Sequence, residues 1–317
     1  MSDLPTSTLG RTGATVTKLA YGAMELRGPR PDVGGREVTP DQAKTILNAV
    51  LDAGITLIDT SPDYGGSEAY IGEFIAHRRD EYFLSSKCGC AVNPPAGERP
   101  GHVYTRENVR AGVEQSLRRM KTDRIDLVQF HISPSRAELE ANDSVAELVE
   151  LQREGKIRFL GMSGVLPNLT DHIAMGVFDA FQIPYSALER EHEGAIHDAA
   201  VAGAGTIVRG GVARGVPVAR PESLERLPER FRATYAKRRD LWDDSGLDVV
   251  ADGMPRMEFM LRFTLSHPDM TTTIVGTLNP AHLDDNLAAA RKGVLPADQY
   301  AEAKRRLDEA TRPAAVA

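Results

Sequence analysis

The sequence predicts an α/β fold, a (β/α)8 TIM barrel with an N-terminal β-hairpin and an extra C-terminal helix, and three observations carry that expectation. Eight short apolar or β-branched runs recur along the chain, at residues 18–21, 56–59, 82–87, 125–131, 159–163, 180–184, 205–209 and 272–275. Each gives way to a loop rich in Gly, Pro or Ser and then to a helical pattern, the alternation that builds parallel sheets. The length of 317 residues suits a barrel, which commonly runs ~250 residues or more.

The elements follow in order. Residues 6–18 place Gly10 and Gly13 between two β-prone runs, as a hairpin crossing the barrel bottom would. Thr39-Pro40-Asp41 reads as a helix start with Pro at the first helical position, and Thr105 followed by Glu107, and Asn279-Pro280, read the same way. The run Gly54-Ile55-Thr56-Leu57-Ile58 is apolar enough for a fully buried strand, and Pro62 with Gly65-Gly66 stops regular structure just beyond it. Residues 296–312 have the composition of the added helix. Two long loops are expected after strands three and seven, at 88–104 and 210–254. Loops of that length are functional more often than idle, and in a barrel those at the strand carboxyl ends build the active site.

Composition narrows the function. Charged residues make up 26% and no apolar run approaches the ~20 residues of a membrane span. The start, MSDLPTSTLG, lacks a basic n-region and an apolar h-region, so a cytoplasmic location is expected and the sequons at Asn142 and Asn168 are read as accidental. A net charge of −7 argues against nucleic acid as a general partner. Cys88 and Cys90, one residue apart, suit neither a disulfide nor a CxxC redox pair, and they read as ordinary loop or core thiols. No metal ligand set is visible from spacing, since the eight histidines show no paired motif. Oligomeric state is not encoded in any readable feature.

Four polar residues end four consecutive apolar strands: Asp59, Lys87, His131 and Ser163. In a parallel barrel all strand carboxyl ends share one face, so these groups converge there with Tyr64, which lies five residues beyond Asp59. A phenol has a pKa of about 10, and a nearby ammonium lowers it. Lys87 is therefore expected to tune Tyr64, with Asp59 holding the ammonium charged and His131 hydrogen-bonding a carbonyl oxygen. Such a set donates a proton to a developing alkoxide. The hydride of a carbonyl reduction must come from a cofactor.

These residues resemble the aldo-keto reductase family. The likeness runs through LGRTG at Leu9 to Gly13, DTSPDYGGSE, SSKCG, DLVQFH, GMSG, FQIPYSALER, IVRGGVARG and IVGTLNPAHLDDN, in family order over about nine-tenths of the chain. It implies one domain spanning 1–317, a nicotinamide cofactor, NADPH or NADH, and a small carbonyl or alcohol substrate. It also implies Tyr64 as general acid, with Asp59, Lys87 and His131 around it. Ser163 and Gln182 match positions that hold the nicotinamide carboxamide, and Tyr185 matches an aromatic on which the ring stacks. Arg209, Gly210, Gly211, Val212 and Arg214 lie where a loop wraps the pyrophosphate, and Gly276, Thr277, Asp285 and Asn286 lie at the adenosine end. A barrel phosphate site at the strand-seven loop and the last helix start is physically apt, because backbone N–H groups and the positive helix end face the anion. No GxGxxG motif occurs, so a Rossmann domain is not implied.

Two departures bear on that likeness. Gly164 stands where members often carry Asn, and Leu278 stands where many carry Arg or Lys for the 2′-phosphate of NADPH, with His282 in place of a frequent Gln. Losing a charge-assisted contact removes about 1.5–3 kcal/mol, so dual or NAD-leaning specificity is expected; Arg209, Arg214 and Arg291 are the cations placed to compensate. Met24, the Cys90 loop and the segment containing Trp242 are expected near the substrate. An alternative is a nicotinamide-binding regulatory subunit with slow turnover. A serine hydrolase built on Gly161 to Val165 fails because the nucleophile elbow needs Gly at 165.

Overall fold

The computed structural model describes residues 3–29, 36–92, 101–219 and 229–312, apart from the Arg230 side chain. A hairpin of β1 (Thr6–Thr8) and β2 (Thr15–Thr17) comes first, antiparallel with Thr6 opposite Thr17. Eight parallel strands then close a barrel: β3 (Leu19–Gly22), β4 (Leu57–Asp59), β5 (Phe83–Cys88), β6 (Ile125–Phe130), β7 (Ile157–Ser163), β8 (Ala180–Pro184), β9 (Gly205–Arg209) and β10 (Thr272–Val275), with β10 pairing β3 to complete the ring. The last three coincide end to end with the runs expected from sequence. His131, expected inside its strand, lies one residue past β6; positive φ at Ile132 and Ser133 turns the chain there.

Helices fill the crossovers, and several start at a side-chain cap. In α1 (Pro40–Asp52) the Thr39 hydroxyl accepts from Gln42 N and the Gln42 side chain accepts from Thr39 N, a reciprocal capping box. The others on the descending connections are α2 (Ser67–Phe74), α3 (Arg106–Met120), capped by Thr105, α4 (Arg136–Ala141), α5 (Ser144–Arg153), α6 (Asn168–Ala174) and α7 (Glu193–Val201). The 210–254 segment, expected as a long loop, contains α8 (Glu229–Asp244) and α9 (Leu247–Ala251), because those residues carry helix-forming composition, and α10 (Arg256–Leu265) follows it; 220–228 lie outside the described residues, as do 93–100 of the other expected loop. α11 (Pro280–Arg291) is capped by Asn279, whose Oδ1 accepts from Ala281 N at 3.1 Å, and α12 (Ala297–Thr311) is the added helix. Among the described residues no helix is long and apolar enough to cross a membrane.

Two cores result. The larger lies between strands and helices, and the smaller fills the barrel itself. One inward side chain from every barrel strand joins the smaller core: Ala20, Leu57, Phe83, Leu127, Phe159, Ala180, Ile207 and Ile274. Leu9 and Val16 of the hairpin region plug it from below. Side chains alternate along a strand, so the next inward position lies two residues further toward the carboxyl end. That parity places the functional residues.

Candidate active site

Two residues above the apolar floor the inward positions become polar: Asp59 on β4, Ser85 on β5, Gln129 on β6, Gln182 on β8 and Arg209 on β9. Another step up brings Lys87, His131 and Ser163. The centre of this layer is a buried ion pair between Lys87 Nζ and Asp59 Oδ1, each side chain about 1% exposed. Asp59 Oδ1 also accepts from Ser85 Oγ at 2.9 Å and Gln129 Nε2 at 3.1 Å, while Lys87 Nζ donates to Thr60 O at 3.0 Å. A charge pair taken out of water survives only with such additional partners. Burial pulls the Lys87 pKa down and Asp59 holds it up.

Tyr64 sits on the turn that leaves β4. Its amide donates to Ser61 O and its carbonyl accepts from Ser67 N, while the Ser67 hydroxyl reaches back to Ala23 O. Gly65 completes the turn at φ +49°, and a Cβ there would lie 2.2 Å from Arg27 O, so only glycine lets the turn press against the preceding loop. The half-buried Tyr64 ring meets His131 edge-on, with centroids 6.2 Å apart. Its pKa is pushed up, by burial first and by the Asp59 carboxylate second, and Arg209 is the cation that opposes the rise. The ammonium of Lys87 is spent on Asp59 and Thr60. The phenol therefore keeps its proton across the physiological range.

His131 Nδ1 lies 3.4 Å from Cys90 Sγ, and Tyr104 Oη donates to His131 O. Burial, and the Asp63 carboxylate after it, push the Cys90 thiol up to about 12. A protonated thiol can donate to Nδ1, the arrangement that leaves the imidazole proton on Nε2. Cys88 is buried and a free thiol like Cys90.

Across the mouth, Ser163 Oγ donates to Gln182 Oε1 at 3.3 Å, and among the described residues the buried Gln182 Nε2 has no hydrogen-bond partner. An orphaned amide donor beside a hydroxyl fits the carboxamide of a nicotinamide ring. Gly210 to Arg214 run from the end of β9 with left-handed backbone at Gly210, Ala213 and Arg214, and Thr264 Oγ1 ties Gly211 O at 2.7 Å. Gly276 and Thr277 follow β10, where Tyr21 Oη holds Thr277 O at 2.9 Å, and exposed Asp285 and half-buried Asn286 lie on α11.

Two expected participants sit elsewhere. Tyr185 is 0% exposed, packed on Phe263 and His267 with its hydroxyl 3.3 Å from Tyr300 Oη, so its ring offers no face to a ligand at the mouth. It lies an odd number of residues from Gln182 and points into the helix layer. Trp242 is likewise 0% exposed, wedged against Phe259 and beneath Arg256, a core residue. Ser85 and Gln129, not expected as site residues, hold Asp59, and Cys90, whose loop is expected near the substrate, lies against His131; the two-residue step down from Lys87 and His131 is the available signal for the first two.

The closed barrel carries a buried acid–lysine pair beneath a phenol at its mouth, and the likenesses to known proteins give its class, that of a barrel oxidoreductase. Residues 18–308 match the Aldo/keto reductase family model, and the chain belongs to that family. It is 29% identical over 323 residues to the D-threo-aldose 1-dehydrogenase of a Pseudomonas species, covering 92% of this chain and 94% of that protein. It is also 29% identical over 208 residues to the NADH-specific methylglyoxal reductase of Escherichia coli strain K12, covering 58% of this chain and 60% of that one. Among solved structures, the holo form of aldo-keto reductase AKR11C1 from Bacillus halodurans superposes with a TM-score of 0.81 at 26% identity, over 96% of each chain.

Proposed function

We propose that the protein reduces the carbonyl of a small aldehyde or ketone, with Tyr64 as the acid and a nicotinamide nucleotide held along Ser163, Gln182, the 209–214 loop and the start of α11. The observation that carries this reading is a neutral, half-buried phenol edge-on to His131 above the Lys87–Asp59 pair. The nicotinamide ring supplies the hydride when bound. His131 Nε2–H and the Tyr64 hydroxyl orient the carbonyl oxygen, and as that oxygen gains charge the Tyr64 proton passes to it. Arg209 attracts the charge left on the phenolate, and the Lys87–Asp59 pair keeps the floor beneath it rigid and dry.

The raised phenol pKa favours reduction over alcohol oxidation at neutral pH, because oxidation needs the phenolate. Leu278, half-buried and packed at the core edge just before the Asn279 cap, puts no charge where a 2′-phosphate would lie, which supports NADH as an accepted cofactor. The NADH-specific relative accords with that. The test is absorbance-monitored oxidation of NADH and NADPH with a panel of short aldehydes, ketones and aldoses. Turnover without any added protein partner is expected; tight cofactor binding with no oxidation by any of them would turn the reading toward the regulatory alternative.

A further inference from the structure

Cys90, His102 and His131 gather three metal-ligating atoms at one corner of the mouth, all within 4.8 Å of one another. Cys90 Sγ lies 3.4 Å from His131 Nδ1 and 3.9 Å from His102 Nε2. In a tetrahedral zinc site, Zn–S of about 2.3 Å and Zn–N of about 2.0–2.1 Å put sulfur and nitrogen about 3.5 Å apart. The three side chains therefore already stand near the edges of such a tetrahedron, with the fourth corner left for water or a ligand.

The backbone explains why they are preset. Cys90 and His102 face each other across an isolated antiparallel bridge, flanked by Ala91 N to Gly101 O at 2.8 Å and Val103 N to Gly89 O at 2.7 Å. That pattern makes them a non-hydrogen-bonded pair, the kind whose side chains approach most closely. Asn108 staples both sides of the bridge, donating to Cys90 O at 3.1 Å and Val103 O at 2.7 Å and accepting from Val92 N. His131 is brought alongside by one more rung between β6 and β5, His131 N to Cys88 O at 3.1 Å. Tyr104 supports both histidines, stacking on His102 and donating to His131 O, and Gly89 makes room for its ring, since a Cβ there would lie 2.4 Å from it. Ligands fixed by such outer partners bind metal more tightly than loose ones. Half-buried His102 gives the corner a route to solvent.

We propose that Cys90, His102 and His131 form a binding site for a thiophilic divalent cation, Zn2+, at the edge of the mouth. On binding, the Cys90 S–H proton leaves to solvent as the metal–thiolate bond forms, and both imidazoles coordinate as neutral ligands. Binding itself does not depend on the reductase reading; its consequence for turnover does, because it ties His131 and sets a cation beside Tyr64, which slows reduction.

The experiment loads the full-length metal-free protein with Zn2+ against a chromophoric chelator and, separately, with Co2+ while recording the thiolate-to-cobalt charge-transfer band. One equivalent and a clear band are expected, and Cys90→Ser and His102→Ala should each weaken affinity at least about tenfold and abolish or shift the band. Absence of stoichiometric binding by the wild type, or unchanged affinity in either variant, overturns the site. His102→Ala also separates the two readings: it should keep basal turnover and lose its sensitivity to zinc. A cobalt band in the wild type with turnover unaffected by metal would uphold the site and count against His131 as the carbonyl-orienting group.

Discussion

The floor and the mouth of the barrel are built on the same eight strands, one or two inward steps apart, and they obey opposite rules. The floor is apolar on every strand and sealed by Leu9 and Val16, so its contribution is burial and packing. The mouth replaces those side chains with Asp59, Ser85, Lys87, Gln129, Gln182 and Arg209, each of which costs desolvation unless another compensates it. Three donors on one Asp59 oxygen are that compensation, and Gln182 Nε2, unpartnered among the described residues, is a place where it is withheld. A rigid floor can carry an electrostatically expensive mouth because the two share strands but not side chains.

The comparison breaks most visibly at Tyr64. Tyr64→Phe keeps the ring packed on His131 and removes only the proton, so turnover should fall about 10²–10⁴-fold while cofactor affinity and the unfolding midpoint stay near wild type. Steady-state kinetics beside a cofactor titration check it, and near-normal turnover would falsify the acid assignment. In the wild type the raised phenol pKa holds the proton in place, so the reduction rate should persist to alkaline pH and decline only above the ordinary tyrosine value of about 10. A decline centred near neutrality would point to a different acid.

Asp59→Asn tests the mouth's own cohesion. The Lys87 ammonium would be left buried with Thr60 O and a neutral amide, and a broken buried pair costs about 3–5 kcal/mol. Denaturant unfolding should register that loss together with a loss of turnover. Leu127→Ala is the matching change in the floor: a 0% exposed side chain is cut back in a sealed core, for about 2–5 kcal/mol of stability. Here KM and turnover per folded molecule should hold, since nothing in the floor touches the carbonyl. If Leu127→Ala instead cut turnover in proportion to stability, the proposed independence of the two layers would be gone.

The same parity decides what could be read in the chain. Strands buried on both faces must be near-continuous apolar runs, which is why all eight are legible in the chain. Asp59, Lys87, His131 and Ser163 stood out because they interrupt those runs at their ends. Ser85 and Gln129 interrupt them in the middle and look like tolerated polar residues until the two-residue step from Lys87 and His131 is counted. Tyr185 fails by that same count. The Cys90 loop is legible as part of the mouth, but its pairing with His102 is not, since it depends on a bridge that no spacing motif encodes. Residues 229–251 lie inside the expected 210–254 loop because their place after strand seven outweighs their helix-forming composition.

The smallest expected effect lies at the rim, where neither layer's rule is strict. Leu278 is half-buried, follows β10 and precedes the Asn279 cap, so its backbone is fixed by Thr277 and Asn279 rather than by its own side chain. Leu278→Arg should therefore leave the fold and NADH affinity almost unchanged, because a long side chain at the rim can keep its stem on the apolar edge and its head in water. If the 2′-phosphate of NADPH lies there, the new guanidinium adds a charge-assisted contact of about 1.5–3 kcal/mol, or roughly ten- to a hundredfold in Kd. Fluorescence titrations of both nucleotides at low and high salt measure it, and the gain should shrink with salt as an exposed charge contact must. Equal tightening of NADH would mean that the arginine meets the pyrophosphate, and no tightening of either would mean that Arg209, Arg214 or Arg291 already neutralises the phosphate in the wild type.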